Sequence, residues 1–216
     1  MNISKQKAYW DKVAEYKRFT TPIPMELLKK HLRPDSRILD FGCGQGRILQ
    51  QLKSEGFLNL SGVDISRNMI EIAKQNLPDA DFKVNTGVMI PYNDLSFDCV
   101  IAAAVLTCII TNNDQRKLVT EIKRVLKPEG LVYISDFLIN NDERNIKRYT
   151  KYEKKYRVYG VFEIEQGLAM RHHTLEWINE LTSSFARLMF EEKVYTTMNG
   201  HISKGFYFIS RKGADL

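Results

Sequence analysis

The chain has 216 residues, 44% hydrophobic and 27% charged, which suits one domain with a substantial core. No apolar run approaches the ~20 residues that cross a bilayer, and the N-terminal stretch MNISKQKAYWDKVAEYKRF lacks the uninterrupted apolar segment of a signal peptide, so a cytoplasmic protein with no membrane partner is expected. The net charge of +6 is compatible with a polyanionic partner or with a solvated surface; Cys43, Cys99 and Cys108 form neither a CxxC pair nor a Cys/His cluster, so no disulfide framework and no metal site is expected.

Short apolar runs alternate with helix-period segments. The runs are residues 36–41 (SRILDF), 58–64 (LNLSGVD), 81–85 (DFKVN), 97–106 (FDCVIAAAVL) and 130–137 (GLVYISDF). The segments 47–56, 66–77 and 113–126 read as helices. Ser66 is placed to cap the second, Met69, Ile70 and Ala73 repeat at helical spacing, and Pro78 ends it. The third carries Leu118, Ile122, Val125 and Leu126 on one face and stops at KPEG. This alternation predicts an α/β fold, a mostly parallel sheet with helices on both faces. Tyr149, Tyr152, Tyr156 and Tyr159 then recur at helical spacing, and residues 144–157 hold seven Lys/Arg against one acid, Glu153. His172 and His173 precede a helix that Thr174 would cap. Strand-like residues 192–198 and 203–210 flank Asn199-Gly200, a hairpin turn signal, so the sheet should finish with an antiparallel hairpin.

The densest signal is ILDFGCGQGRI, residues 38–48, with glycines at 42, 44 and 46 directly after a strand-like run. Glycine costs backbone entropy, and one reason to cluster it is a tight turn that lets main chain approach a ligand. The loop opens a helix, where free N–H groups and the helix dipole favour an anion. Its spacing is G-x-G-x-G, and Arg47 stands where the dinucleotide fingerprint G-x-G-x-x-G has its third glycine. Asp40 just before the loop would repel a pyrophosphate. A zwitterionic or cationic cofactor fits better, with Asp40 acting on an ammonium and the loop amides on a carboxylate. Asp64, 18 residues after Gly46, ends the next strand, where a carboxylate can accept both hydroxyls of a ribose. A nicotinamide-binding oxidoreductase and a merely tight strand-to-helix turn are the competing readings.

The stretches DFGCGQG and GVDIS resemble the first two motifs of the class I S-adenosylmethionine-dependent methyltransferases, small-molecule type. FDCVIAAAVL resembles their fourth-strand segment and RVLKPEGLVYISDF their fifth, so the likeness covers roughly residues 36–138. It implies a Rossmann-like seven-stranded sheet of order 3-2-1-4-5-7-6, its seventh strand antiparallel. A single domain would comprise an N-terminal helical cap (1–35), a cofactor-binding core (36–138), a variable substrate or lid region (139–185) and a terminal hairpin (186–216). The implied cofactor is S-adenosyl-L-methionine. Asp40, Gly42, Cys43 and Gly44 would line its methionine and ribose portion, Asp64 would hold the ribose hydroxyls, and Ile65 would lie on the adenine face. Thr86, Gly87 and Val88 match the segment at the adenine edge, and Ala102 and Ala103 match main-chain positions near the amino-acid end. Position 86 is usually acidic in that family. A threonine there forgoes a charge-assisted hydrogen bond, a loss of about 1 kcal/mol.

Methyl transfer from a sulfonium is an in-line displacement. Positioning can supply ~7–11 kcal/mol, and a general base ~10²–10⁴-fold, about 3–5 kcal/mol. Base candidates are His172, His173 and Asp136, the last at the end of the fifth strand; the adjacent histidines also read as a polar turn. A catalytic cysteine is not expected. The segment AAAVLTC lacks the polar and aromatic residues with which adenine-methylating enzymes grip an exocyclic amine, so nucleic acid is not the expected partner. Tyr9, Trp10 and Tyr16 sit where related enzymes often place a helix over the cofactor. The tyrosine face, with Tyr152 and Tyr156, either packs on the sheet, roofs a substrate pocket, or joins the basic residues as a strip for RNA or an anionic membrane. The resulting reading is a methyltransferase acting on an O, N or S atom of a small-molecule acceptor, mainly by positioning. An RNA methyltransferase, supported by charge alone, and a cofactor-binding regulatory protein without turnover are the alternatives.

Overall fold

In β1 (Arg37–Phe41) strand alternation sends Leu39 and Phe41 to one side and Ile38 and Asp40 to the other. The same division runs across the sheet of this computed structural model, which describes residues 3–164, 167–197 and 200–213. On one side Leu39, Val100 and Ile134 join Phe206 and Phe208 under α5 (Asn112–Val125) and α7 (Leu175–Leu181). On the other, Ile38, Cys99, Ile101 and Tyr133 meet α3 (Arg47–Ser54) and α4 (Arg67–Asn76) through Leu49, Leu52, Ile70 and Ala73. The remaining elements are α1 (Ile3–Val13), α2 (Met25–Lys29), β2 (Asn59–Asp64), β3 (Asp81–Val84), β4 (Phe97–Ala103), β5 (Leu126–Phe137), α6 (Glu143–Tyr156), β6 (Val161–Glu163), β7 (Ala169–Arg171), β8 (Phe185–Thr196) and β9 (Ile202–Lys212).

The sheet order is β3-β2-β1-β4-β5-β9-β8, the order that the resemblance implies. β1 to β5 pair in parallel, whereas β9 runs antiparallel to both β5 and β8. Side-chain caps start the helices: Met69 N–H donates to Ser66 Oγ at 3.1 Å and Trp177 N–H to Thr174 Oγ1 at 3.2 Å. Among the described residues no helix is long and apolar enough to cross a membrane.

Three features depart from the sequence pattern. The apolar run 97–106 is not one strand: β4 stops at Ala103, Ala104 takes a left-handed φ of 56°, and a 3-10 turn follows over Leu106–Cys108. β8 begins seven residues before the expected 192, because a bulge between Arg187 and Met189 and a largely exposed face hide its period of two. The variable region adds a separate antiparallel pair, β6 with β7. Gly200 has a φ of 75°, as the hairpin turn requires, while Asn199 lies outside the described residues.

Ile38 is fully buried where β1 meets α3 and β4. Ile38→Ala should therefore lower unfolding free energy by about 2–5 kcal/mol, read as a lower urea midpoint at unchanged slope. A loss under about 0.5 kcal/mol, the size of a surface substitution, would contradict this packing.

Candidate active site

Ligands of open α/β sheets bind beyond the carboxyl ends of the strands where the order reverses. Here that point lies between β1 and β4, and a cleft of about 980 Å³, open to solvent, occupies it. Its floor is the glycine loop. Gly42, Gly44 and Gly46 have φ of 78°, 52° and 82°, and a Cβ on Gly42 would stand 2.6 Å from Val105 Cγ2. The turn thus needs glycine for its backbone and for the close approach of Val105.

Four of the loop amides, expected to take a carboxylate, are engaged within the protein. Gly42 and Cys43 donate to Val63 O at 2.7 and 3.0 Å, Gly44 to Asp64 Oδ2 at 3.0 Å, and Gly46 to Cys43 O at 2.9 Å. The cation at this end is Arg47, in the first turn of α3, which lines the cleft and donates to Thr21 O at 2.7 Å.

Asp40 is 1% exposed, and neither of its carboxylate oxygens has a hydrogen-bond partner. Burial pushes its pKa up to about 7, with Arg47 pulling down and Asp64 pushing further up. Asp64 is anchored by the N–H of Gly44 and by that of Ser66, 2.8 Å from Oδ1. Burial still raises its pKa to about 6, against those bonds. Asn85 donates through Nδ2 to Gly87 O at 2.8 Å, which leaves its buried Oδ1 without a partner. The cleft therefore presents an unpaired buried carboxylate, a second carboxylate, a guanidinium and an unpaired amide oxygen. That donor and acceptor set fits a ligand with an ammonium, a carboxylate, a ribose and an amino-bearing base.

Of the residues expected here, Asp40, Gly42, Cys43, Gly44, Asp64, Ile65, Gly87 and Ala103 line the cleft. Thr86 points to solvent, and Val88 and Ala102 pack into the core on the α5 side. Strand alternation and the left-handed turn at Ala104 explain the exchange: Asn85 and Ala104 line the cleft instead. Over the cleft, α1 contributes Gln6 and Trp10, and the segment after it contributes Phe19. Tyr9 and Tyr16 do not line it: Tyr9 is buried against Val13, Ala14 and Leu168, and Tyr16 is 62% exposed. Gln6 ties the roof to the walls, donating to Cys108 O at 3.0 Å and Ala169 O at 3.2 Å while accepting from Trp10 Nε1 at 3.0 Å. Tyr152 and Tyr156 sit half-buried on α6, also outside the lining.

The three base candidates lie outside the cleft as well. His173 is fully buried, accepts at Nε2 from Gln115 (2.8 Å) and donates from Nδ1 to Phe137 O (3.1 Å). Burial drives its pKa down to about 3, so it stays neutral. His172 is also held neutral by burial, with Tyr149 Oη 2.6 Å from its Nδ1. Asp136 projects to the α5 side and accepts from Thr107 N (3.0 Å) and Phe137 N (2.7 Å), fixing the 3-10 turn that carries Cys108 to the cleft wall. These groups hold the wall; they do not face the lumen.

Because the Asp40 pKa is raised, the folded chain takes up that proton before the unfolded chain does. The stability it contributes is complete below the ordinary carboxylate range and is lost as pH rises through about 7. Asp40→Asn cannot ionise, so at about pH 8 it should melt a few degrees above wild type, with the gap closing toward about pH 4. A variant that melts lower at every pH would mean that the carboxylate already has a partner.

A family model described as a methyltransferase domain matches residues 39–134. A SAM-dependent methyltransferase from Methanosarcina mazei superposes with a TM-score of 0.83 at 27% identity, over 90% of this chain and 99% of that one. A demethylmenaquinone methyltransferase from Thermotoga maritima is 33% identical over 109 residues, 50% of this chain and 46% of that protein. A tRNA (carboxymethyluridine(34)-5-O)-methyltransferase from Arabidopsis thaliana is 30% identical over 154 residues, 71% of this chain and 34% of that protein. The chain spans less than half the length of either of these two relatives. Sheet order, glycine loop and the carboxylates of Asp40 and Asp64 agree with these likenesses, and residues 39–134 carry a methyltransferase domain of the class I S-adenosylmethionine-dependent kind.

Proposed function

We propose that this chain methylates an O, N or S atom of a small, largely apolar acceptor, by holding acceptor and S-adenosylmethionine together in one cleft. The observation that carries the reading is the buried, unpartnered Asp40 carboxylate beside Arg47 and Asp64. Bound there, the cofactor supplies an electrophilic methyl group on a sulfonium. Asp40 receives the ammonium, Arg47 the carboxylate, and Asp64 the ribose hydroxyls, with Ile65 against the base. Gln6, Trp10 and Phe19 roof part of the cleft and shield a bound cofactor there from part of the solvent. With His172, His173 and Asp136 turned into the framework, positioning carries the rate rather than a side-chain base.

The cleft also carries apolar side chains, among them Trp10, Phe19, Val105 and Ile109. That supports a small molecule, as does the relative that acts on demethylmenaquinone. The tRNA-modifying relative and the net charge of +6 support an RNA acceptor as the second reading. We further infer a reducing, cytoplasmic setting, supported by free thiols at Cys43, Cys99 and Cys108. The division into cap, core, lid region and hairpin belongs to the same proposal.

Calorimetric titration with S-adenosylmethionine and S-adenosylhomocysteine tests the site. Both should bind, and Asp64→Ala should weaken both about 10–100-fold, as expected for hydrogen bonds to a charged group. No binding at millimolar ligand would overturn it. Label transfer from methyl-labelled cofactor to a panel of phenols, quinols and thiols, against total tRNA, then separates the acceptors. Transfer to tRNA alone, falling steeply with salt, would select the second reading. Binding without transfer to any of them would favour a regulatory protein.

A further inference from the structure

The helix α6 carries a feature that methyl transfer does not use. At about 100° per residue, Arg144, Lys147, Arg148, Lys151, Lys154 and Lys155 fall within one arc of about 120°. Over about 17 Å the exposed members, Arg144, Lys147, Lys151, Lys154 and Lys155, form a straight basic stripe, whereas Arg148 turns inward, its guanidinium 3.4 Å from the centre of the Phe162 ring. The opposite side of the helix is buried, through Asn145 and Tyr149. The only acids of the helix, Glu143 and Glu153, lie outside the arc. Pairing neutralises the stripe in part: Lys147 bonds Glu143 (2.5 Å), Arg144 lies 3.9 Å from Asp142, and Lys155 reaches Glu163. Lys151 and Lys154 form no ion pair among the described residues, and both are exposed.

The helix connects to the roof of the cleft through β6 and its partner β7, whose Ala169 O accepts from Gln6. Glu163 of β6 receives Lys155 and Tyr156, and the charge of Lys5 from α1 also acts on it. The same α1 places Gln6, the residue after Lys5, and Trp10 over the cleft.

We propose that α6 docks the protein, peripherally, on an anionic lipid surface, with the mouth of the cleft beside it. Clusters of four to eight basic residues on a helix face suffice for such attraction, each adding to it within a Debye length. The choice of lipid rests on the proposed small-molecule reading: an apolar acceptor of the kind proposed partitions into a bilayer. Docking itself involves no methyl transfer, so it can fail while that reading stands.

The test is co-sedimentation of the full chain with phosphatidylcholine vesicles, with and without phosphatidylglycerol, at about 0.1 M and about 0.5 M salt. The expected result is partitioning at least about tenfold higher onto the phosphatidylglycerol vesicles, abolished at the higher salt. Lys151→Glu with Lys154→Glu should cut it about tenfold or more while leaving thermal midpoint and S-adenosylhomocysteine affinity unchanged. Lys151→Gln with Lys154→Gln, gentler to the fold, should give an intermediate loss. Equal partitioning onto both vesicle types, or undiminished binding by both variants, would overturn the proposal. So would a stripe that ignores vesicles but binds single-stranded RNA in a variant-sensitive way, which would make it a nucleic-acid surface.

Discussion

The structure turns on one unpaired charge. Asp40, one residue before the end of β1, lies on the α3 side of the sheet, buried, with both oxygens lacking a partner and its pKa raised to about 7. A buried carboxylate costs free energy unless it is paired. The neighbouring guanidinium of Arg47 offsets only part of that cost, and a cationic ligand offsets more. The glycine loop makes the same point geometrically. Three left-handed turns bring main chain close under the cleft, yet the amides of Gly42, Cys43, Gly44 and Gly46 are all engaged by the protein itself. Loop and strand together form a rigid frame that leaves charge recognition to side chains.

The rest of the molecule holds that frame. Asp64 fixes Gly44 and Ser66, so the second carboxylate is set by the loop it serves. On the far wall, Asp136, His173 and Gln115 lock the 3-10 turn over residues 106–108, with Leu106 O and Ile109 O also 3.0 and 2.6 Å from Gln115 Nε2. Burial lowers the pKa of both histidines, which makes them weak bases, and both lie outside the cleft lining, which suits them to neutral hydrogen-bond networks. A cleft assembled this way favours catalysis by alignment, in which the acceptor brings its own nucleophilicity and the protein supplies distance and direction.

Much of this was legible in the sequence. Periodicity located five parallel strands and the helices between them, because those elements bury regular faces. The loop and both carboxylates stood out through glycine spacing and strand ends. What failed to show depends on tertiary contacts. Nothing in FDCVIAAAVL marks Ala104 as the left-handed residue that ends β4, since its carbonyl partner comes from Ser135 on another strand. Of the three aromatics expected over the cofactor on the N-terminal stretch, Trp10 faces the cleft, whereas Tyr9 faces the core and Tyr16 faces solvent. His172 and His173 looked chemical because histidine often is; only their burial reveals a framework role. Asn85 carried no signal, because its unpaired oxygen follows from a bond to Gly87 that spacing alone does not disclose.

The most direct test of this account is the titration of the Asp40 carboxyl by carbon-13 NMR, free and saturated with S-adenosylhomocysteine, which keeps the ammonium of the cofactor. The free protein should titrate near 7. The complex should titrate several units lower, below about 4, as a nearby cation stabilises the ionised form. An ordinary carboxylate value in the free protein, or a raised one that ligand leaves unchanged, would contradict the claim that Asp40 is the charge the cofactor completes.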